Sequence, residues 1–177
     1  KRTLTFIGRN ERRKGIEELN KALIELIKRK DLMFRFNFIG PIPSEIQLND
    51  SRIIYHGEIR NSDEIKEILH HSDVLVCPSH SEGMPTVILE GMANGLAIIA
   101  TDVGAVSRQI DQNGILLAKP DPKKLRNALF RMINCNQDDL KRMKSNSIEK
   151  VQNQFVWDVI AEKKIKDFER IIMAKDH

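Results

Sequence analysis

No apolar run in the sequence approaches the roughly 20 residues that a helix needs to cross a bilayer, so no membrane-spanning helix is expected. The amino terminus, KRTLTFIGRN, runs straight into strand-like residues without a signal-peptide pattern, which points to a soluble, cytoplasmic protein. Cysteine is nearly lacking. Cys77 and Cys135 stand at no metal-ligand spacing, and Cys77 lies in an apolar run, so two reduced, chemically idle thiols are expected. Aromatic residues make up only 5% of the chain and are scattered, which argues against a nucleic-acid surface. Nor does charge of one sign dominate: 29 Lys and Arg against 25 Asp and Glu leave +4, the balance of a solvated, mixed-sign surface. An anionic ligand or a membrane surface stays open. The phosphate-binding signatures G-x-x-x-x-G-K-[ST] and G-x-G-x-x-G are both missing. Repeats, low-complexity tracts and flexible linkers are missing too, and the opening on Lys1 instead of Met suggests an excised fragment.

Hydrophobic residues, 41% of 177, suffice for one domain of the usual size of about 100 to 200 residues. Short β-rich runs (TLTFIG, FRFNFIG, RIIYHG, DVLVCP, LAIIAT, GILLA) alternate with helical segments, which predicts an α/β fold: a Rossmann-like, doubly wound parallel sheet of about six strands flanked by helices. The helices are KGIEELNKALIELIKRK, SDEIKEILHH, PTVILEGMANG and AVSRQI, the first with Ile16, Leu19, Leu23 and Ile27 on one face. Three charged helices, DPKKLRNALFRMI, QDDLKRMKSNSIEKVQNQ and FVWDVIAEKKIKDFERIIM, follow and are expected to wrap the sheet, the last facing a missing neighbour. Turn residues follow strand after strand, at Gly8, Gly40, Gly57, Pro78 and Thr101. Ligands of such sheets bind outside the carboxyl ends of the strands, so the informative side chains should converge there.

Pro85 suits the first position of the third helix, which would leave the amides of Thr86, Val87 and Ile88 unpaired at a positive dipole end, an anion site. In GRNERRKG, Arg9 and Lys14, with Lys14 opening the next helix, can reach the same crevice, and two cations opposite a helix end suit a diphosphate. Arg12 and Arg13 read as surface charge. Glu82 and Glu90 flank this anion site. A carboxylate gains nothing from a phosphate, but as an acceptor it takes hydroxyl hydrogens, so the ligand should carry both groups. A nucleotide sugar fits, with diphosphate at the helix tip, hexose by Glu82 and ribose by Glu90. The two carboxylates could instead be a hydrolase pair, a reading that uses neither the anion site nor the cations. His70 and His71 end a helix, and His80 lacks companions at metal-ligand spacing.

The residues GRNERRKG, the stretch DVLVCPSHSEGMPTVILEGMANGLAIIATDVGA and the terminal FVW together resemble the C-terminal, donor-binding domain of glycosyltransferase family 4 enzymes, over nearly the whole chain. The resemblance implies half of a two-domain GT-B fold, residues 1–177 being one nucleotide-sugar-binding domain whose N-terminal acceptor domain is absent. It implies transfer of a hexose from a nucleoside diphosphate sugar, UDP- or GDP-linked, with retention and without metal or cofactor, in surface polysaccharide or glycolipid synthesis. By matching position, Gly8, Arg9 and Lys14 would hold the diphosphate, with Arg9 and Lys14 stabilising the leaving group. Glu82 would orient the sugar with the backbone of Gly83 and Met84, the Thr86 and Val87 amides would meet the phosphates, and Glu90 would hold the ribose. The base would lie near Glu58 and Ile59. Departures from the family pattern are Pro85 for a frequent glycine, Ala105 for the second glycine of a pair, Arg108 for a glutamate, and Gly40 followed by Pro41 for G-x-G. Such a fragment is expected to bind donor and to transfer little sugar alone. A non-catalytic nucleotide-binding module, or a related GT-B epimerase or phosphorylase, are the alternatives, and peripheral attachment at the inner membrane face stays open.

Overall fold

The computed structural model describes the backbone of residues 1–173, with side chains up to 166 except at 163. Six strands, β1 (Arg2–Ile7), β2 (Phe34–Ile39), β3 (Ile53–Tyr55), β4 (Val74–Cys77), β5 (Ala97–Thr101) and β6 (Gly114–Leu117), form one parallel sheet in the order β3-β2-β1-β4-β5-β6. Strands covered on both faces must be apolar throughout. β4 meets that demand, and β5 does so up to Thr101, whose hydroxyl bonds the Ser79 carbonyl; every residue of both is buried. The order reverses between β1 and β4, which pair with Leu4 opposite Val74, so the crevice at their carboxyl ends is the switch point of the sheet.

Seven helices connect and cover the strands: α1 (Ile16–Ile27), α2 (Ser62–His70), α3 (Thr86–Ala93), α4 (Val106–Gln109), α5 (Pro122–Ile133), α6 (Gln137–Gln154) and α7 (Trp157–Met173). One face of the sheet, with Leu4, Phe6, Phe36, Phe38, Val76 and Ile99, packs on α1 through Leu19, Leu23 and Leu26 and on α5 through Leu125 and Leu129. The other, with Leu75, Cys77, Ile98 and Ala100, packs on Leu69 of α2, Ile88 and Met92 of α3, and Val106 of α4. α5 is therefore a core helix and not the charged wrapper its sequence suggests, because its charges lie on one side of an amphipathic face. α6 lies against α3, and α7 against α6. Trp157 is 84% exposed. Among the described residues no helix is long and apolar enough to cross a membrane.

Two helix starts differ from expectation. Lys14 does not open α1: residues Arg12–Lys14 form a 3-10 turn, and Gly15, at φ 70°, separates it from the helix. A Cβ at Gly15 would stand 1.9 Å from the carbonyl oxygen of Pro78, so the β1–α1 loop touches the β4–α3 loop at a point only glycine permits. Pro85 is the N-cap of α3 in extended conformation, not its first helical residue.

Candidate functional site

The crevice at the switch point is walled by the β1–α1 loop on one side and the β4–α3 loop on the other. Glu82, in the second, is the residue on which both converge. Its side chain is 8% exposed, and Lys14 Nζ donates to its Oε1 at 2.7 Å. Ser79 Oγ donates to the same oxygen at 2.8 Å, and Arg13 reaches Oε2 at 3.4 Å. Burial pushes the Glu82 carboxyl up, but the bonds from Lys14 and Ser79 and the charges of Lys14 and Arg13 outweigh it, leaving the group below the usual carboxylate range. Glu82 is thus an anion and a pure acceptor. Lys14, an ammonium with three donors, can hold it and still offer hydrogens to a second anion.

The loop around Glu82 is fixed at both ends. Thr101 Oγ1 donates to the Ser79 carbonyl, and the Ala105 amide donates to the Gly83 carbonyl at 2.8 Å. Gly104, at φ 58°, allows that approach, since a Cβ there would lie 2.1 Å from the Glu82 carbonyl oxygen. Ala105 needs no such freedom: its φ of −97° suits any residue, so the loop accepts alanine in place of a second glycine. Arg108, also in α4, is exposed. Buried Gln109 donates to the Pro85 carbonyl at 3.2 Å and steadies the start of α3. At that start no side chain caps the helix, and the Ile88 amide bonds the Pro85 carbonyl at 3.2 Å. Of the three amides expected to be unpaired, those of Thr86 and Val87 have no hydrogen-bond partner among the described residues, whereas that of Ile88 has one, because the first turn tightens to a three-residue bond.

The other expected site residues surround this centre. Arg9 is exposed and makes no ion pair among the described residues. Gly8 closes β1, its amide bonding the Ile39 carbonyl at 2.9 Å, and Gly40 (φ 128°) backs onto it so closely that a Cβ would stand 2.0 Å from the Gly8 oxygen. Gly40 in turn bonds the Gly57 carbonyl at 2.8 Å. The three glycines tie the carboxyl ends of β1, β2 and β3, and half-buried Ile59 follows beside exposed Glu58. Gly83 and Met84 are exposed, with open space around Gly83. Glu90 is exposed in the second turn of α3. The structure thus brings Lys14 and Glu82 into contact, while Arg9 and Ile59 lie on neighbouring loops and Glu90 on α3.

Sequence reasoning missed Arg13, read as surface charge, and Ser79, whose only signal was its place in PSHSEG. Arg12 and His80 are also engaged. Arg12 makes a two-pronged bond to Glu18, at 2.8 and 2.9 Å, and His80 Nε2 lies 3.1 Å from Glu18 and 2.7 Å from Arg12. Cys77 is 5% exposed, and burial pushes its thiol up, as expected of an idle cysteine.

A six-stranded parallel sheet flanked by helices, with this crevice at its switch point, matches the C-terminal domains of GT-B glycosyltransferases. The chain belongs to the family described as glycosyl transferases group 1, whose model matches residues 1–135. It is 36% identical over 119 residues to TuaC of Bacillus subtilis (strain 168), named as a teichuronic acid biosynthesis glycosyltransferase, covering 67% of this chain and 29% of that protein. The crystal structure of the C-terminal domain of the group 1 glycosyl transferase LpcC from Francisella tularensis superposes with a TM-score of 0.78 at 27% identity, covering 89% of this chain and 87% of that one. Anabaena HepE, solved in complex with UDP, shares the fold at 16% identity, with a TM-score of 0.77 over 95% of this chain and 48% of its own. The chain spans less than half the length of the curated relatives it matches.

Proposed function

We propose that this chain is the donor-binding domain of a retaining, family 4 glycosyltransferase. It would hold a nucleoside diphosphate sugar, UDP- or GDP-linked, at the β1/β4 switch point and present it to an acceptor carried by an N-terminal half. The observation that carries the reading is Glu82: a nearly buried carboxylate held by Lys14 and Ser79, four residues before the unpaired Thr86 amide. An anion beside an anion site makes sense when one ligand brings both phosphates and hydroxyls.

In this reading the diphosphate lies between the Thr86 and Val87 amides and the cations Arg9 and Lys14. Glu82 accepts from sugar hydroxyls beside the open backbone at Gly83 and Met84, Glu90 accepts from the ribose, and the base rests by Ile59. As the bond from the sugar carbon to the phosphate oxygen breaks, its electron pair moves onto the diphosphate. Lys14 and Arg9 would offset that charge, and a charge partner held in place beforehand stabilises it without reorganisation. The acceptor oxygen bonds the same carbon on the same face, and its proton passes to the departing phosphate oxygen on which the new charge sits. Lys14, Arg9 and the helix amides supply the positive charge, so neither metal nor cofactor is required. The likeness to TuaC, named for teichuronic acid biosynthesis, supports a place in surface-polysaccharide or glycolipid synthesis.

Calorimetry with UDP, GDP, ADP and their common sugar conjugates tests the reading. One nucleotide should bind saturably to this chain, and Arg9→Ala and Glu90→Ala should each weaken it about tenfold, the loss expected for a hydrogen bond to a charged group. The chain alone should transfer little or no sugar. Nucleotide binding untouched by both substitutions would refute the placement of the site.

A further inference from the structure

Glu18 is used by neither the core nor the reaction proposed above, yet its carboxylate is nearly buried, with a side chain 9% exposed. Burial pushes the group up, but the bonds from Arg12 and His80 overcome this and hold it at about 2. Stability alone is a weak reason for such an arrangement, since apolar replacements of buried ion pairs are often as stable. What the arrangement adds is a side-chain link between two loops on the far side of His80 from Glu82. Arg12 belongs to the β1–α1 turn, Glu18 to the first turn of α1, and His80 to the loop that carries Glu82.

We infer that Arg12, Glu18 and His80 form a positioning clamp that sets where Glu82 stands in the crevice; the inference rests on the sugar-binding role proposed for Glu82. The three successive cations of the turn reach both loops: Arg12 goes to Glu18, Lys14 to Glu82, and Arg13 bonds Glu11 at 2.6 Å while reaching Glu82 at 3.4 Å. The same turn holds the opposite loop through its backbone, the His80 amide donating to the Arg13 carbonyl at 2.7 Å. His80 is thus bound twice, by main chain and by ring. It is next in sequence to Ser79, whose hydroxyl donates to Glu82. Between His80 and the Gly83 anchor lie only exposed Ser81 and Glu82 itself. Release of the ring would leave His80 held by its main chain alone and free to tilt, so the neighbouring Ser79 and Glu82 side chains lose their fixed aim, while the helix amides, Arg9 and Glu90 keep their places.

The test uses the complete protein with two probe pairs, UDP with UDP-glucose and GDP with GDP-mannose, in wild type, His80→Ala, His80→Gln, Glu18→Gln and, as the reference, Glu82→Ala. In His80→Ala and Glu18→Gln the affinity for the free nucleotide should stay within about twofold, while the preference for the sugar conjugate falls about tenfold, the scale of one charge-assisted bond. His80→Gln, which returns an amide near the ring nitrogen, should recover part of that preference. Circular dichroism melts report any global loss, which exposed His80 should not cause. Equal weakening of nucleotide and sugar conjugate, or no effect on either, overturns the clamp while leaving the Glu82 reading intact if Glu82→Ala still loses the preference. If Glu82→Ala keeps it, or wild type binds neither pair, the Glu82 reading fails and the clamp falls with it.

Discussion

Replacing Lys14 by methionine keeps the length of the side chain and removes its charge, so the variant isolates what the ammonium does for Glu82. The two side chains are 16% and 8% exposed and 2.7 Å apart. Removing one member of a buried pair strands the other, a loss of about 3–5 kcal/mol when nothing else remains. Here the Ser79 hydroxyl stays at 2.8 Å and Arg13 at 3.4 Å, which brings the expected loss to about 2 kcal/mol. For a domain of this size that is a fall of roughly 4–8 °C in Tm. The loss also has a pH signature. In the native protein the Glu82 carboxyl lies below its ordinary 4.5, so its contribution is present above that value and fades as pH falls through the folded-state value. Without Lys14 the upward push of burial is less opposed, so protonation costs the folded variant less than it costs the native protein. The stability gap between native protein and Lys14→Met, measured by urea titration at pH 7 and pH 4, should therefore narrow in acid. Glu82→Gln combined with Lys14→Met should regain most of the loss, since an amide needs no counterion. An equal gap at both pH values, or no recovery in the double variant, would sink this account of the pair.

Glu18 offers a second pH test: its carboxyl falls from 4.5 to about 2 on folding, so its contribution is complete above pH 4.5 and lost as pH drops toward 2. Allowing for solvent around Arg12, that amounts to about 2 kcal/mol, and Glu18→Gln should flatten the acid limb of the stability curve by this amount. Gly104→Ala must place a Cβ 2.1 Å from the Glu82 carbonyl oxygen at a φ of 58°, so a loss of about 2 kcal/mol or more is expected in denaturant melts. An unchanged midpoint would mean that the loop moves freely. Iodoacetamide should modify half-buried Cys135 in the native protein and reach Cys77 only after unfolding, as read by mass spectrometry.

All six strands were legible in the sequence to within one or two residues, because each is a short run rich in β-branched, aromatic or aliphatic residues bounded by turn residues, although only β4 and β5 are buried along their whole length. The helix faces followed from periodicity, though α1 is shorter than its pattern. The α1 boundary shows why: KGIEELNKAL reads as a continuous helix, but Gly15 must adopt a left-handed conformation to lie against Pro78, a contact between residues distant in sequence. The site was legible as a set of residue types near strand ends. Glu82, Lys14, Thr86 and Val87 were each singled out, and the sheet order β3-β2-β1-β4-β5-β6 brings the first two together.

Partnership was not legible. In GRNERRKG the cations look equivalent, and Arg12 and Arg13 read as solvated charge, yet one is engaged by Glu18 and the other reaches Glu82. A run of like charges carries no direction. Direction comes from the 3-10 turn, from the glycine that ends it, and from β4 lying beside β1, which brings Ser79, His80 and Glu82 to face that turn. The sequence by itself determined the element types and the chemistry available at the crevice, because hydrophobic periodicity and side-chain acidity are local properties. Which charge meets which carboxylate was decided only by the tertiary structure, because it depends on how two loops some seventy residues apart are pressed together by the sheet between them.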